Sequence, residues 1–423
     1  MMEGRNGTVS GLIGAAVAAL FLLPADGSAQ QDIMRPDPCS GLNIVHTSAL
    51  ASLIGCAAAG YAPDQYSVGV MFANGIEVAE NDAEAVRWFR MAAEQGHPAA
   101  QHDLGLMYAE GEGVPEDNEE AVHWYRLAAE QEYIPAQGNL GVMYDNGYGV
   151  AEDDAEAVRW YRLAAEQRFA PAQYNFGVMY DNGDGVPEDD AEAMRWYQLS
   201  AERGFAPAQY NLGAIYDHGD GVPEDDGQAV RWYRLSAEQG FAAAQHALGV
   251  MCDHGYGVPA DDAEAVRWYR LAAEQDLALA QFALGAMYSR GEGVLRDEAE
   301  AARWYQLAAE QGDVLAQTNL GVVLAQRWYR RQVEGVQADT LAEADFLAEV
   351  DLGLVQQDLV LAFKWFTLAA TQGNKTAEMN MGVIEQWMTP EEVAEAQRLS
   401  QEWMDAHSRD AAKPSETIRI QNR

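Results

Sequence analysis

Apolar residues along most of the chain recur at the spacing of an α-helix. In the segment 170–205, Ala172, Phe176, Met179 and Tyr180 stand at positions i, i+4, i+7 and i+8. This spacing places the four side chains on one helical face. The first half of the segment is therefore predicted to be an amphipathic helix.

A second helical pattern follows after a glycine-rich break at 182–187, which ends in a proline. Beyond the break, Ala193, Trp196, Tyr197 and Ala201 are spaced i, i+3, i+4 and i+8. The apolar and polar alternation that is typical of a strand is missing from this segment. The segment is therefore predicted to form two helices joined by a turn.

This pair of helices recurs with a period of 36 residues. The period is marked by tryptophan at Trp88, Trp124, Trp160, Trp196, Trp232, Trp268 and Trp304. Glycine keeps the same spacing at Gly69, Gly105, Gly141, Gly177, Gly213, Gly249, Gly285 and Gly321. Such a period is typical of stacked repeats, in which each unit buries its apolar faces against its neighbours. The recurring glycine is expected to let two helices approach closely.

Acidic residues mark the start of the second helix in several repeats. The pairs are Asp153 with Glu156, Asp189 with Glu192, and Asp261 with Glu264. An acidic N-cap residue followed three positions later by glutamate is the pattern of a capping box. Much of the negative charge is therefore expected to stabilise helix ends.

The repeats divide the chain into six predicted segments. These are a signal peptide at 1–29, an N-terminal cap with a half-repeat at 30–61, tandem repeats at 62–325, an insertion at 326–350, a final repeat with a C-terminal capping helix at 351–407, and a flexible tail at 408–423. The insertion includes Trp328, Tyr329, Arg330 and Arg331, and a further helix is expected near 341–350. Such an insertion either lies on a binding face or is a tolerated bulge.

The N-terminus has the three parts of a secretory signal: Arg5, an apolar run at 9–23, and small residues that end at Ala29. The run is shorter than the roughly 20 residues of a membrane-spanning helix, although a retained anchor is an alternative. Cleavage after Ala29 would place the protein in the periplasm or outside the cell. In that oxidising space Cys39 and Cys56 are expected to form a disulfide or, alternatively, to remain buried thiols, whereas Cys252 has no obvious partner.

The net charge of the chain limits the classes of molecule that it can bind. The chain has 66 acidic and 27 basic residues, for a formal charge of −39. A surface of this charge repels nucleic acid and anionic membranes. It suits either a basic partner or solubility in a saline habitat, and the sequence leaves both interpretations open.

The chain lacks several sequence motifs of common catalytic, phosphate-binding and zinc sites. The chain contains no Ser-x-x-Lys, Gly-Lys-Ser/Thr or His-Glu-x-x-His. The loop 181–185 carries several oxygen donors, but its spacing differs from that of a calcium-binding loop. His218 and His254 occupy equivalent loop positions, and two such ligands make only a weak zinc site. No catalytic residue, cofactor or metal is therefore predicted.

The repeat resembles the Sel1-like repeat family of the tetratricopeptide-like superfamily. The resemblance covers about residues 62 to 385 and is carried in one unit by Ala136, Gln137, Leu140, Gly141, Tyr144, Gly147, Gly149, Val150, Ala157, Trp160, Tyr161, Ala164, Ala165, Glu166 and Gln167. It implies an all-α fold, a right-handed superhelix of antiparallel helix pairs that acts as an adaptor between proteins. Cys252 and Leu324 replace the usual tyrosine, and Glu77 replaces a loop glycine.

By analogy with the superfamily, the first helix of each pair lines a concave face. Side chains beside the packing face are then candidates for contact with a partner: His102, Tyr174, Tyr210, His246 and Phe282, with Asp145, Asp181, Asp217 and Asp253. Aromatic rings beside carboxylates suit a basic or extended peptide. The alternative is that the rings pack between neighbouring repeats.

These observations predict an exported, non-enzymatic scaffold that binds one or more proteins or peptides. A peptidoglycan- or glycan-binding module is the main alternative, and exposed rings in the groove would favour it. A cell-wall hydrolase is a further alternative, which would need a paired acid and base in one groove.

Overall fold

The computed structural model describes residues 49–333 and 357–411, and every regular element in these ranges is an α-helix. The chain divides into two compact units, and the boundary in the sequence lies between Phe205 and Ala206. In each unit, consecutive helices pack together as pairs, and each pair packs on the next. The predicted all-α solenoid class is confirmed.

The first unit contains one short N-terminal helix followed by four helix pairs. The helices are α1 (Ala49–Ala58), α2 (Ala62–Asn74), α3 (Asp82–Ala93), α4 (Pro98–Glu110), α5 (Asn118–Ala129), α6 (Ile134–Asn146), α7 (Asp154–Glu166), α8 (Ala170–Asn182) and α9 (Asp190–Ala201). Its core lies between successive helices and is made mainly of alanine, leucine, methionine and aromatic side chains.

The second unit contains regular pairs followed by longer C-terminal helices. The helices are α10 (Ala206–His218), α11 (Asp226–Glu238), α12 (Ala242–His254), α13 (Asp262–Ala273), α14 (Ala278–Arg290), α15 (Glu298–Glu310), α16 (Val314–Val333), α17 (Gln357–Thr371), α18 (Lys375–Glu385) and α19 (Pro390–Ala411). The core continues from α14 into α19 through Phe363, Trp365 and Phe366.

Asp153 shows how the second helices begin. Its carboxylate accepts hydrogen bonds from the backbone N–H groups of Ala155 and Glu156, both at 3.1 Å. The N–H of Asp153 itself donates to the carbonyl of Tyr144 at 2.9 Å, so Glu156 does not complete a capping box. Glu156 instead pairs with Arg159 at 2.9 Å. A reciprocal capping box forms only at the start of α19 among the described helices, between Thr389 and Glu392.

The recurring glycine makes room for the aromatic ring of the second helix. A Cβ atom at Gly177 would lie 2.9 Å from the ring of Tyr197, and one at Gly141 would lie 2.6 Å from Tyr161. These distances are shorter than van der Waals contact. The close approach that the spacing predicts therefore depends on the missing side chain.

A second glycine joins consecutive repeats. Gly185 has φ of +64°, and a Cβ atom there would lie 2.6 Å from the carbonyl oxygen of Asp154 in the preceding repeat. The position therefore needs glycine for both its left-handed backbone and its close contact.

Glutamine side chains also connect neighbouring repeats. Gln137 is buried, and its amide donates to the carbonyl of Ala129 at 3.3 Å. Its own oxygen accepts a hydrogen bond from Gln167 at 2.9 Å. The same glutamine pair recurs as Gln95 with Gln65, Gln131 with Gln101, Gln239 with Gln209, Gln275 with Gln245, Gln311 with Gln281, and Gln372 with Gln317. Each pair closes its repeat and fixes it against the one before.

The C-terminal helices depart from the regular pattern. Residues 326–333, where the predicted insertion begins, continue α16 as a helix. Arg327 on α16 pairs with Asp358 on α17, whose side chain is 1% exposed, and Arg327 Nε lies 3.0 Å from a carboxylate oxygen. The final helix extends to Ala411, beyond its predicted end at His407. The helix predicted near 341–350 lies outside the described residues.

Several N-terminal predictions also fall outside the described ranges, namely the signal peptide at 1–29 and Cys39. Cys56 is buried beside α2, so the proposed pairing with Cys39 stays a prediction. Cys252 is a free, buried thiol, and burial raises its pKa to about 11. No helix within residues 49–333 and 357–411 is both long and apolar enough to cross a bilayer.

Candidate protein-interaction surface

The aromatic position on the first helices is less exposed than the sequence predicts. His102 is 2% exposed and Tyr174 is 5% exposed, so neither side chain can contact a partner directly. Tyr174 packs between Tyr197 at 5.6 Å and Phe205 at 5.5 Å, measured between ring centroids. The prediction for these two residues is therefore corrected. Their rings fill the space between the two helices of one repeat and the start of the next.

His102 also belongs to a buried polar network. Its Nδ1 lies 2.7 Å from a carboxylate oxygen of Asp103, and its Nε2 lies 3.2 Å from the amide nitrogen of Asn139. Because the amide of Asn139 donates, Nε2 accepts and Nδ1 carries the proton that it donates to Asp103. The network satisfies the polar atoms of a buried side chain and gives His102 a structural role.

Tyr210, His246 and Phe282 occupy the same repeat position in the second unit and are half-buried. Each ring lies against the tyrosine of its own repeat, as in the 5.7 Å separation of Tyr210 and Tyr233. Burial lowers the pKa of His246 to about 4, so its imidazole is neutral at pH 7. These three residues offer an edge to solvent but no positive or negative charge.

The predicted aspartates are partly exposed, and each accepts a hydrogen bond from a tyrosine hydroxyl of the second helix. The pairs are Tyr161 with Asp145 at 3.0 Å, Tyr197 with Asp181 at 3.1 Å, Tyr233 with Asp217 at 3.3 Å, and Tyr269 with Asp253 at 3.4 Å. We call these four residues the repeat aspartates. The first unit provides Asp145 and Asp181, and the second provides Asp217 and Asp253.

Sequence reasoning identified the repeat aspartates but missed their tyrosine partners. The signal is present in the chain, because each aspartate precedes its tyrosine by 16 residues. Where the aspartate is replaced by Ala109, the hydroxyl of Tyr125 cannot make this hydrogen bond. The pairing therefore positions the carboxylate rather than satisfying a requirement of every repeat.

The pKa of the Asp145 carboxylate is raised by its surroundings. Burial raises its pKa to about 6, the hydrogen bond from Tyr161 opposes this rise, and the nearby carboxylates Asp154, Asp184 and Glu152 add to it. Asp145 is therefore mostly ionised at pH 7 in a region of concentrated negative charge. A cation that lay near these carboxylates would relieve their mutual repulsion.

No three His, Cys, Asp or Glu side chains within the described ranges converge in a way that could hold a metal ion. His218 and His254 each turn a ring nitrogen toward a carbonyl of their own helix, at 2.8 Å from Ala214 and 3.1 Å from Val250. The loop 181–185 contributes Gly183 and Gly185 in left-handed conformations and closes α8 as a helix end.

The family model of the Sel1 repeat matches the chain in eight segments. The matched residues are 62–97, 98–133, 134–169, 170–205, 206–241, 242–277, 278–313 and 347–374. The chain belongs to the Sel1 repeat family. Sel1 repeats generally serve as scaffolds for interactions between proteins.

Solved structures of other Sel1 repeat proteins are similar to this chain. A Sel1 repeat protein from Oxalobacter formigenes is 34% identical with a TM-score of 0.53, over 63% of this chain and 77% of that one. The protective antigen c5321 of uropathogenic Escherichia coli, which displays an SLR fold, is 30% identical over 88% of this chain and 92% of that one, with a TM-score of 0.42. No curated protein matches the chain.

Proposed function

We propose that this Sel1 repeat protein is an exported scaffold in which the repeat aspartates of each unit, Asp145 with Asp181 and Asp217 with Asp253, hold basic segments of partner proteins. The observation that carries this proposal is the fixed position of the carboxylates. Tyrosine hydroxyls orient them, and they remain partly exposed on helices whose packing is rigidly repeated. Acceptors that are oriented before binding lose less conformational entropy when a lysine or arginine arrives.

The surroundings of Asp145 favour a basic partner over a neutral one. Its carboxylate lies near three other carboxylates, and no cation accounts for the shift of its pKa. An arriving lysine or arginine would lower the pKa of Asp145 from about 6 and release a proton. Affinity for a basic segment should therefore increase from pH 5 to pH 7.

A glycan-binding function would need aromatic faces open to solvent. Tyr174 and His102 are buried, and Tyr210 lies against Tyr233 and Phe241. Carbohydrate stacking on these rings is therefore disfavoured, and a protein ligand is the better interpretation of the surface.

Export is proposed from the N-terminal signal pattern that ends at Ala29. In a bacterial host, the mature chain recovered from the periplasm or medium should begin at Gln30. An uncleaved chain in the membrane fraction would instead support a retained anchor.

The experiment that tests the binding proposal compares three versions of residues 30–423 in affinity capture from an envelope extract at pH 7. They are the native chain, a variant with all four repeat aspartates changed to asparagine, and a control with Glu94, Glu130, Glu166 and Glu238 changed to glutamine. Both variants lose the same charge, and the four control residues are exposed.

The native chain and the control should enrich the same basic protein, and the asparagine variant should lose it. Capture of the same protein by all three versions would contradict the role of the repeat aspartates. Loss in both variants would show that overall charge, rather than these positions, determines binding. A native chain that enriches no protein would count against the scaffold function itself.

A further inference from the structure

Three large apolar side chains lie exposed near the ends of α16 and α18. Trp387 is 48% exposed, Val383 is 50% exposed and Tyr329 is 47% exposed. One face of the Trp387 ring stacks on Trp328 with centroids 5.6 Å apart, and Tyr329 lies 6.4 Å away. The cluster is thus held in place by ring contacts although much of its surface faces solvent.

These side chains line a cavity of about 610 Å³ between α16 and α18. We call it the α18 pocket. Its floor includes Phe366, and its sides include Val383 and Trp387. A cavity of this volume and lining is large enough for an aromatic side chain with its flanking backbone.

A second face of α18, beside the one that lines the pocket, lacks the neighbour that a regular first helix has. At Gly177 the ring of Tyr197 fills the space beside the helix, whereas a Cβ atom at Gly382 would meet nothing within 4 Å. The aromatic position of the repeat is occupied in α18 by Met379, which is 65% exposed. The surface that an aromatic ring covers in other repeats is therefore open here.

The rim of the pocket is positively charged. Arg296 and Arg330 both pair with the same carboxylate, Glu298, with Arg296 2.7 Å from one of its oxygens. Two guanidinium groups share one carboxylate, which leaves an excess of positive charge at the rim. In a protein with a net charge of −39, this excess is a local reversal that favours an anionic group.

We propose that the α18 pocket binds an acidic segment of a partner protein. An aromatic side chain of that segment enters the cavity and packs against Val383 and Trp387, and an adjacent carboxylate pairs with Arg296 or Arg330. The apolar lining supplies the contact area, and the arginines select for negative charge. This site is separate from the repeat aspartates and prefers a ligand of the opposite charge.

The proposal is tested with a short fluorescein-labelled peptide that has one central phenylalanine flanked by aspartates, measured by anisotropy against residues 30–423. Trp387→Ser removes the apolar wall, and Arg330→Gln removes one rim charge. The matched controls are Leu279→Ser and Arg231→Gln. Leu279 is 47% exposed on α14, and the guanidinium of Arg231 lies over the ring of Trp232. Neither residue lines the pocket. Helical content is compared by circular dichroism, and Val383→Asp serves as a second pocket variant.

The native chain and both controls should bind the acidic peptide. Trp387→Ser and Val383→Asp should each weaken binding by about tenfold or more, and Arg330→Gln by about fivefold with a reduced dependence on salt. Peptides with serine for phenylalanine or lysine for aspartate should not bind.

Several results would overturn the proposal. These are equal binding of the acidic and lysine peptides, equal weakening by the controls, or failure of the native chain to bind. A dimer in sedimentation velocity that Trp387→Ser abolishes would also overturn it, because the pocket would then be occupied by a second copy of this chain.

Discussion

Two helices that occupy the same place in the repeat, α8 and α18, have different surroundings. In α8, Tyr174 is 5% exposed and the ring of Tyr197 presses against Gly177. In α18, Met379 at the position of Tyr174 is 65% exposed, and Gly382 at the position of Gly177 meets no ring. The repeat motif alone therefore does not bury a first helix. Burial requires a following helix that carries the aromatic partner, and without that helix this face of α18 is open.

The largest expected effect is on the stability of the packing between the C-terminal helices α16 and α17. Asp358→Ala would remove the carboxylate that Arg327 pairs with between α16 and α17, where the side chains of Asp358 and Arg327 are only 1% and 13% exposed. The free energy of unfolding of this region should fall by about 4 kcal/mol. Breaking the exposed pair of the regular repeats with Glu156→Ala should cost less than about 1 kcal/mol. Urea unfolding monitored by circular dichroism measures both, and equal losses would contradict the comparison.

The glycines give a second test. Gly141→Ala places a Cβ atom 2.6 Å from the ring of Tyr161 and should destabilise its repeat by about 3 kcal/mol. Gly382→Ala meets open space and should stabilise α18 by about 1 kcal/mol through higher helix propensity. The measurement is the midpoint of thermal unfolding for each variant. Changes of the same sign would show that α18 is covered in solution.

The pKa of His246 depends on how fully water is excluded from the aromatic position of a regular repeat. Its pKa is lowered from 6.5 to about 4 in the folded chain, so the unfolded chain binds more protons between these values. The free energy of unfolding is therefore highest above pH 6.5, and it decreases by about 2 kcal/mol as the pH falls toward 4. His246→Phe, which copies Phe282 of the next repeat, should remove this loss. A variant whose melting temperature followed the native pH profile would show that the ring is solvated.

The smallest expected effect is a gain. Arg203 stands where other repeats have the glutamine that donates to its partner, and the side-chain oxygen of Gln173 is buried without a hydrogen bond. Arg203→Gln should supply the missing bond and stabilise the repeat by about 1 kcal/mol. Arg168→Gln, at an exposed position outside this glutamine pair, is a control for the lost charge. An equal gain in both variants would assign the effect to charge alone.

Helix pairing and the packing of Gly177 could be predicted from the sequence because both depend on local spacing. The burial of His102 could not be predicted. Its ring neighbours are Tyr125 on α5 and Tyr133 just before α6, and the pattern within α4 does not indicate which of its side chains these rings cover. The partly exposed repeat aspartates were found by their spacing, but the α18 pocket was not. Its lining comes mainly from α16, α17 and the end of α18, and a repeat pattern indicates which residues are present without indicating what covers them.

The glutamine pairs have a consequence for how this protein could change over generations. Each pair spans 30 residues within a repeat, and the first glutamine of the pair reaches back eight residues to the preceding helix. The stretches 154–167 and 262–275 are identical in sequence. Unequal recombination between such stretches adds or removes whole repeats, and a new junction keeps these hydrogen bonds wherever both glutamines are present. Array length is thus a heritable variable that can shift in steps of one repeat at little cost in folding.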